Sequence, residues 1–296
     1  MLMNRLFQSK DECVAYHYCS AETLRAILES KHLRFTDINM LNDSYETRWG
    51  YSAFEEAATR LIKRVGLSEK VPEISIDFID SVDEVISRSQ TIAHPFVSCF
   101  SLDGDSLEQW RSYADDGRGF AIGFRVPKLQ QLAVSVLSVE YDREAQIKEM
   151  MAALVALYLR KNADTKEERD KFFEDCLLTG TYMGAFKHSA FRHEMELRCL
   201  HSVNVKFENE CVRFSDPGGY SESGKEVDGL TVKFQDRENH LCAYMDMPFY
   251  AQDGAHPVAE IVLGPKNHSN VGNVLLYLGG LGYSGVTLKT SNIPYR

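Results

Sequence analysis

The sequence predicts an α+β fold whose core is a mixed, mainly antiparallel sheet with helical insertions. Segments rich in β-formers occur in runs that longer helical blocks interrupt, and the late strands come in pairs separated by turn residues, as in hairpins. No G-x-G-x-x-G motif follows the first predicted strand and the chain has no P-loop, so a nucleotide would have to be held in some other way. Because no linker rich in Pro, Gly or Ser divides the 296 residues, we expect a single domain over residues 1–296.

The chain opens with a strand followed by a capped helix. CVAYHYC (residues 13–19) has the composition of a strand, and Ser20 is a good N-cap for a helix over residues 21–30. A second capping signal comes at Asp43, which Glu46 follows at the third position as in a capping box. These signals predict a strand, a helix and the start of a second helix.

The middle of the chain alternates helical insertions with apolar strands. Residues 52–93 and 142–187 are charged or show helical periodicity, and we expect them to form helical insertions that cover the core. Between them, FVSCFS (residues 96–101) and RGFAIGFRV (residues 118–126) predict strands, and residues 105–114 predict a short helix.

Strands dominate the remainder of the chain, which ends as strand, helix, strand. The earlier strands predicted there are EMELRCLHSV (194–203), CVRFS (211–215), LTVKFQ (230–235) and HLCAYMDM (240–247). Because side chains alternate along a strand, we expect Glu194, Glu196 and Arg198 on one face. An E-x-E-x-R pattern most often forms a solvated strand face with a local ion pair. The functional alternative is a site in which the two carboxylates act as a pair.

Composition and charge narrow the range of functions. The formal net charge of -10 gives no basis for general binding to nucleic acid or to anionic membranes. No apolar run approaches the roughly 18 residues of a membrane span and the N-terminus has no signal-peptide core, so we expect a cytoplasmic protein. The cysteines are odd in number and form no C-x-x-C pair, so we expect reduced thiols and no metal site. They are Cys13, Cys19, Cys99, Cys176, Cys199, Cys211 and Cys242.

Other candidate site residues lie in the earlier segments. His17 directly precedes the capped helix, whose unpaired backbone N–H groups can hold a polar ligand, although a hydrogen-bonded core histidine is the alternative. On the next apolar strand, Ser98 and Phe100 share one face. Trp110 and Tyr113 are neighbours at helical spacing and either pack in the core or stack on a planar ligand.

An ordered set of short motifs runs along nearly the whole chain: YHYCS, LNDSYE, FVSCFS, EQWRSYA, RGFAIGF, FRHEMELR, and the ending IVLGPKN with SNIPYR. In this order the motifs resemble the bacterial family known as domain of unknown function 2971. That resemblance implies no function.

A more distant resemblance implies one. YHYCSAETLRAILESKHLRF is similar in plan to the opening of the DNA-modifying branch of the ADP-ribosyltransferase superfamily. Carried over, His17 matches the ribose-binding histidine, FVSCFS the second strand of the site, and Glu194 or Glu196 the catalytic glutamate, with Glu196 preferred as the residue further inside the strand. The resemblance implies NAD as a substrate, no metal, and an enzyme that serves as a toxin or phage-defence effector with a macromolecular acceptor or a regulatory partner protein. The implied substrate-binding set is Tyr18, Ser20, Asn42, Asp43, Ser98, Phe100, Ser101, Trp110, Tyr113 and Arg198.

Two other functions remain open. A metal-dependent nuclease or phosphodiesterase would hold Mg²⁺ against a phosphate with two carboxylates and a cation, although E-x-E-x-R differs from the E-x-K of common nuclease cores. Its residues would be Asp43, Glu46, Lys187, Glu194 and Glu196. A non-enzymatic sensor or interaction module would bind a small ligand or a partner chain without turnover.

Overall fold

The computed structural model describes residues 2–8, 13–40, 46–161, 165–208, 210–220, 224, 226–237, 239–250 and 256–295. In this part of the chain the helices are α1 (Ala21–Ser30), α2 (Glu46–Ile62), α3 (Ile76–Ile86), α4 (Ser89–Ile92), α5 (Leu107–Tyr113), α6 (Val126–Leu129), α7 (Arg143–Leu159), α8 (Lys166–Tyr182) and α9 (Val271–Gly280). The strands are β1 (Val14–Cys19), β2 (His32–Asp37), β3 (Ala93–Ser101), β4 (Phe120–Arg125), β5 (Ser135–Ser138), β6 (Glu196–Glu208), β7 (Cys211–Ser215), β8 (Gly219–Tyr220), β9 (Glu226–Val227), β10 (Lys233–Arg237), β11 (His240–Pro248), β12 (Val258–Leu263) and β13 (Thr287–Thr290). Short 3-10 segments span Met3–Arg5, Ile38–Met40, Met183–Ala185 and Ser189–Glu194.

Eleven of the described strands form one sheet that branches at β3. One edge of β3 pairs with β6 along the whole strand, from Ala93 to Ser101. Because a strand has two edges, β2 and β1 must share the other: β2 pairs at Phe96 and Val97, and β1 pairs at Ser101. The sheet therefore divides into one wing of β2, β11 and β10 and another of β1, β4, β12 and β13. Residues 98–100 lie at the point of division.

The two faces of the sheet carry separate apolar cores. On β6, Leu197 and Cys199 join the core beneath α1 and α9, whereas Leu200 joins the core beneath α2, α3, α7 and α8. This alternation is what the pleat of a strand with both faces covered requires. The branch point is thus held between two packed layers.

The structure confirms the predicted α+β class with a mixed, mainly antiparallel sheet, in which β12 and β13 are a parallel pair. Ser20 caps α1, since its side chain accepts a hydrogen bond from Thr23 N, as predicted. The helical blocks contain α2 to α4 and α7 to α8. Among the described residues no helix is long and apolar enough to cross a membrane.

The bounds of β6 and the presence of one short strand differ from the prediction. The strand expected over residues 194–203 begins at Glu196 and continues to Glu208, because the chain before it forms a 3-10 turn. The short strand β5 has too few residues to show a period and was not predicted. The capping box expected at Asp43 lies outside the described residues, together with the side chain of Glu46.

Candidate functional site

A cleft of about 370 Å³ lies where the two wings of the sheet separate. Its lining comes from β1, β2, β3, α5, the 3-10 turn before β6, the start of β6 and the end of β10. The volume falls within the range of small-molecule sites, roughly 300–1,000 Å³. Segments distant in sequence therefore meet around one concave space.

His17 of β1 fills part of the gap between the wings. Its Nδ1 lies 3.0 Å from the carbonyl oxygen of Cys99, and its ring centroid lies 5.7 Å from that of Phe100. Because a carbonyl only accepts hydrogen bonds, Nδ1 carries the proton. Burial lowers the pKa of His17, with the Cys99 hydrogen bond acting in the opposite direction, so the ring is neutral at pH 7. Its Nε2 is then a hydrogen-bond acceptor.

Ser98 of β3 lines the cleft and carries an unpaired polar atom. The residue is buried and lines the cavity, and its Oγ has no hydrogen-bond partner among the described residues. A buried hydroxyl without a partner is destabilising by about 1–3 kcal/mol, and native structures retain few such groups. Ser98 therefore places an unsatisfied hydroxyl next to the cavity, although its Oγ atom is itself buried.

The backbone conformation that places Glu194 and Glu196 at the cleft is not the strand alternation that the sequence predicts. Glu194 ends a 3-10 segment and Glu196 begins β6. Met195 between them has φ 46° and ψ 50°, in the left-handed region that non-glycine residues seldom occupy. This turn brings both carboxylates to the same cavity. Strained backbone of this kind occurs disproportionately at functional sites.

Glu196 is enclosed by donors. Arg198 donates from Nε to Oε1 at 2.9 Å and from Nη2 to Oε2 at 3.0 Å, and Lys187 Nζ reaches Oε2 at 3.1 Å. The side chain of Cys99 provides a further hydrogen bond. Burial raises the pKa of Glu196, but the charges of Arg198 and Lys187 lower it more, to about 2. A carboxylate offers about four acceptor positions, so Glu196 is ionised and fully occupied.

Glu194 accepts fewer hydrogen bonds than Glu196. Its Oε2 accepts from Lys187 Nζ at 2.5 Å, and its Oε1 lies 3.3 Å from the hydroxyl of Tyr113. Among the described residues these two groups are its side-chain donors, so Glu194 keeps acceptor capacity toward the cleft. The tyrosine is 39% exposed and forms part of the cavity wall.

Helices behind the cleft position Lys187. Gln146 on α7 is fully buried and donates from Nε2 to the carbonyl oxygen of Lys187 at 2.9 Å and to that of Glu140 at 2.7 Å. The backbone N–H of Lys187 donates to Glu140 O at 3.0 Å, and Trp49 donates to Gln146 Oε1 at 3.0 Å. The ammonium group between the two carboxylates is therefore anchored by buried contacts.

Comparison with known proteins supports one of the two resemblances. A family model described as "Protein of unknown function (DUF2971)" matches residues 109–199. This segment is similar to DUF2971. No curated protein matches the chain. No solved structure matches it either.

The DUF2971 segment contains one side of the cleft. Tyr113, Lys187, Glu194 and Glu196 fall within it, whereas His17 and the β3 residues precede it. Among the described residues, no group of three or more His, Cys, Asp or Glu is placed to hold a metal ion.

Four of the remaining predicted site residues also line the cleft: Tyr18, Phe100, Ser101 and Arg198. Ser101 and Arg198 line it, and Ser101 Oγ donates to the Glu194 carbonyl at 2.7 Å, which fixes the turn before β6. Tyr18 also lines it, but its hydroxyl already donates to Asp103 O at 2.7 Å and accepts from Ser106 N at 3.0 Å.

Other predicted residues do not reach the cleft. Trp110 is fully buried behind Tyr18, with ring centroids 4.7 Å apart, and its Nε1 donates to Asp105 at 2.8 Å. Ser20 acts as the helix cap instead. Asn42 and Asp43 lie outside the described residues.

The structure adds lining residues that were not predicted. They are Tyr16, Arg34, Thr36, Val97, Gln109, Phe191 and Arg237, besides Cys99, which was named without a role in ligand binding, and Lys187, which was named only for the metal-dependent alternative. The sequence could have placed Arg34 on the strand face opposite the core, because Leu33 and Phe35 on either side of it are buried in β2.

Proposed function

We propose that the cleft binds NAD and that the chain transfers ADP-ribose from it, releasing nicotinamide. One observation carries the proposal: His17, Ser98 and Glu194, from three segments far apart in sequence, converge on one cavity where the sheet divides. The neutral imidazole, the unpaired hydroxyl and the carboxylate with acceptor capacity are suited to the hydroxyl groups of a ribose.

Glu194 is the carboxylate we assign to the reacting ribose. When the glycosidic bond to nicotinamide breaks, the leaving group takes the bonding electron pair and positive charge develops on the sugar. A carboxylate that accepts a hydrogen bond from a sugar hydroxyl stabilises this charge more in the transition state than in the ground state. Glu194 has acceptor capacity for such a bond, whereas Glu196 is occupied by Arg198, Lys187 and Cys99.

The neighbouring residues divide the remaining tasks. His17 Nε2 accepts from a second sugar hydroxyl, and Ser98 Oγ, which has no partner among the described residues, gains a hydrogen bond from the sugar. Tyr113 offers an exposed ring for the planar nicotinamide. Lys187 separates the two carboxylates, and Arg198 fixes Glu196 beneath it, so both negative charges coexist in a buried site.

The acceptor completes the reaction. A nucleophile bonds to the anomeric carbon as nicotinamide leaves and gives up its proton; with water as the acceptor the reaction is hydrolysis. A macromolecular acceptor would fit a toxin or phage-defence effector.

The test is nicotinamide release from NAD by the purified wild-type chain and by matched glutamate-to-glutamine variants. We expect Glu194→Gln to lower turnover by at least about 100-fold, the range for loss of one transition-state hydrogen bond, while the protein stays folded. Glu208→Gln, on the exposed part of β6, is the control and should turn over NAD as the wild type does. Unchanged turnover in Glu194→Gln would overturn the assignment.

Two outcomes separate the alternative functions. Hydrolysis of nucleic acid or phosphodiesters that EDTA abolishes, without any NAD turnover, would favour the metal-dependent nuclease. Saturable binding of NAD or ADP-ribose without turnover under any condition would favour a ligand-sensing module.

A further inference from the structure

The helix α5 contributes two side chains to the lining of the cleft, Gln109 and Tyr113. They are four residues apart, so they share one face of the helix, with Cβ atoms about 5–6 Å apart. Trp110, on another face, is fully buried and packs on Tyr18. One side of α5 is therefore held in the core while another forms part of the cavity wall.

The side-chain amide of Gln109 has no hydrogen-bond partner within the described ranges, although the residue is only 7% exposed. In the same ranges, the unpartnered side-chain nitrogen and oxygen atoms that solvent cannot reach belong to Arg64, Ser98 and His256. The amide of Gln109 is not among them, so its atoms remain accessible, and the space that the residue lines is the cleft. Because buried polar groups are nearly always paired, this amide is available to a ligand that fills the cavity.

An amide side chain recognises one chemical pattern. Gln109 offers N–H donors and a carbonyl acceptor side by side, and it pairs through two hydrogen bonds with a planar group that presents an acceptor beside a donor. Two parts of NAD have this pattern: the carboxamide of nicotinamide, and the edge of adenine that carries N6 and N7.

The position of Gln109 favours nicotinamide. The hydroxyl of Tyr113 lies 3.3 Å from Oε1 of Glu194, the carboxylate assigned to the reacting ribose. Gln109 is about one helical turn from Tyr113, so it lies close to the same part of the cleft. Nicotinamide is joined directly to the reacting ribose, whereas the diphosphate and a second ribose separate adenine from it.

We propose that Gln109 is a specificity-determining residue that binds the carboxamide of nicotinamide while Tyr113 contacts the ring. The inference rests on the proposed function and names the part of the substrate that the cleft selects. The hydrogen bonds to the carboxamide are made both before and after the glycosidic bond breaks. Gln109 therefore contributes uniform binding, which lowers KM and leaves kcat unchanged.

The experiment compares turnover of three dinucleotides: NAD, its analogue with a carboxylate in place of the carboxamide, and its analogue with hypoxanthine in place of adenine. The variant is Gln109→Leu, and the matched control is Gln131→Leu, at an exposed glutamine outside the cleft. We expect the KM for NAD to rise about tenfold in Gln109→Leu, as for loss of two neutral hydrogen bonds, with kcat unchanged. The control should behave as the wild type does.

The analogues identify the group that is recognised. In kcat/KM the wild type should prefer NAD to the carboxylate analogue by at least about tenfold, because a carboxylate lacks the N–H donors, and Gln109→Leu should reduce this preference. The hypoxanthine analogue should follow NAD in both proteins. A preference for NAD over the hypoxanthine analogue that Gln109→Leu abolishes would assign Gln109 to adenine and overturn the inference.

The remaining outcomes separate the inference from the reaction. NAD turnover with the same KM in wild type and Gln109→Leu would overturn the role of Gln109 and leave the reaction standing. Calorimetric binding of free nicotinamide that weakens in Gln109→Leu, without NAD turnover by the wild type, would do the reverse. Neither binding nor turnover would overturn both. A lower melting temperature of Gln109→Leu with unchanged selectivity would show a structural role only. The comparison of the three dinucleotides in the wild type tests the inference even where the variant fails to fold.

Discussion

Replacing Glu196 by glutamine should destabilise the fold in a pH-dependent manner. The carboxylate is buried, 7% exposed, and paired with Arg198 and Lys187. Its pKa is about 2 in the folded protein, against 4.5 for an ordinary glutamate. At about 1.4 kcal/mol per pH unit, this difference corresponds to about 3 kcal/mol of stability at pH 7. Breaking one partner of a buried ion pair is typically destabilising by about 3–5 kcal/mol, which agrees in size.

The sign of the pH dependence follows from the direction of the shift. Because folding lowers the pKa of Glu196, its contribution is present above pH 4.5 and is lost as pH falls toward 2. Linkage leaves about 1 kcal/mol of the contribution at pH 3. Glutamine does not titrate, so the difference in unfolding free energy between wild type and Glu196→Gln should shrink over this window.

Urea denaturation followed by the fluorescence of Trp49 and Trp110 measures both quantities. Glu208→Gln, the same substitution on the exposed part of the same strand, is the control for the effect of other titrating carboxylates on stability. We expect this control to alter the free energy of unfolding by no more than about 0.5 kcal/mol. A difference for Glu196→Gln that stays constant from pH 3 to pH 7, or that is below about 1 kcal/mol at pH 7, would show that the pair does not stabilise the carboxylate as argued.

Three further results are expected. Ser98→Ala should raise the melting temperature, because it removes a buried hydroxyl without a partner, while it weakens binding of NAD; a lower melting temperature would show that the hydroxyl is satisfied. Ser20→Ala should destabilise the protein by about 1 kcal/mol in urea denaturation through loss of the α1 cap, with turnover of NAD unchanged in the folded protein. Burial lowers the pKa of His201, but Asp216 raises it more, so the stability from this pair is present below the ordinary pKa of histidine and is lost as pH rises through the folded value. Hydrogen exchange at Leu230, whose N–H donates to Asp216, should become faster over that rise after correction for intrinsic rates, and His201→Gln should abolish the change.

Periodicity and capping chemistry explain which parts of the fold could be predicted. The first strand and helix follow from β-forming residues and the Ser20 cap, both of which are local. The class of the sheet followed from late strands joined as hairpins, which the β6–β7 and β10–β11 pairs confirm. The short strand β5 was not predictable because its pairing with β6 is a tertiary contact.

Part of the cleft lining could be named from the sequence, but its geometry could not. Alternation placed Glu194 and Glu196 on one strand face, and they do line one cavity, but through the left-handed turn at Met195. No local pattern signals that turn, because a methionine there is unfavourable in isolation and depends on the surrounding contacts. The sequence left two positions open for Trp110, the ligand site or the core. Its contacts with Tyr18 and Asp105 show that it packs in the core.

The division of the sheet gives the physical reason why these residues meet. In a continuous sheet, the edge of β3 at residues 98–100 would pair with a neighbouring strand, and no cavity would exist. Here the backbone carbonyl of Cys99 is satisfied by His17 instead, so a side chain replaces a strand at the gap. A ring nitrogen committed to the backbone leaves the other nitrogen available to a ligand, and Ser98 on the same strand contributes its unpaired hydroxyl. His17 therefore has a structural role through Nδ1 and a proposed role toward the ligand through Nε2.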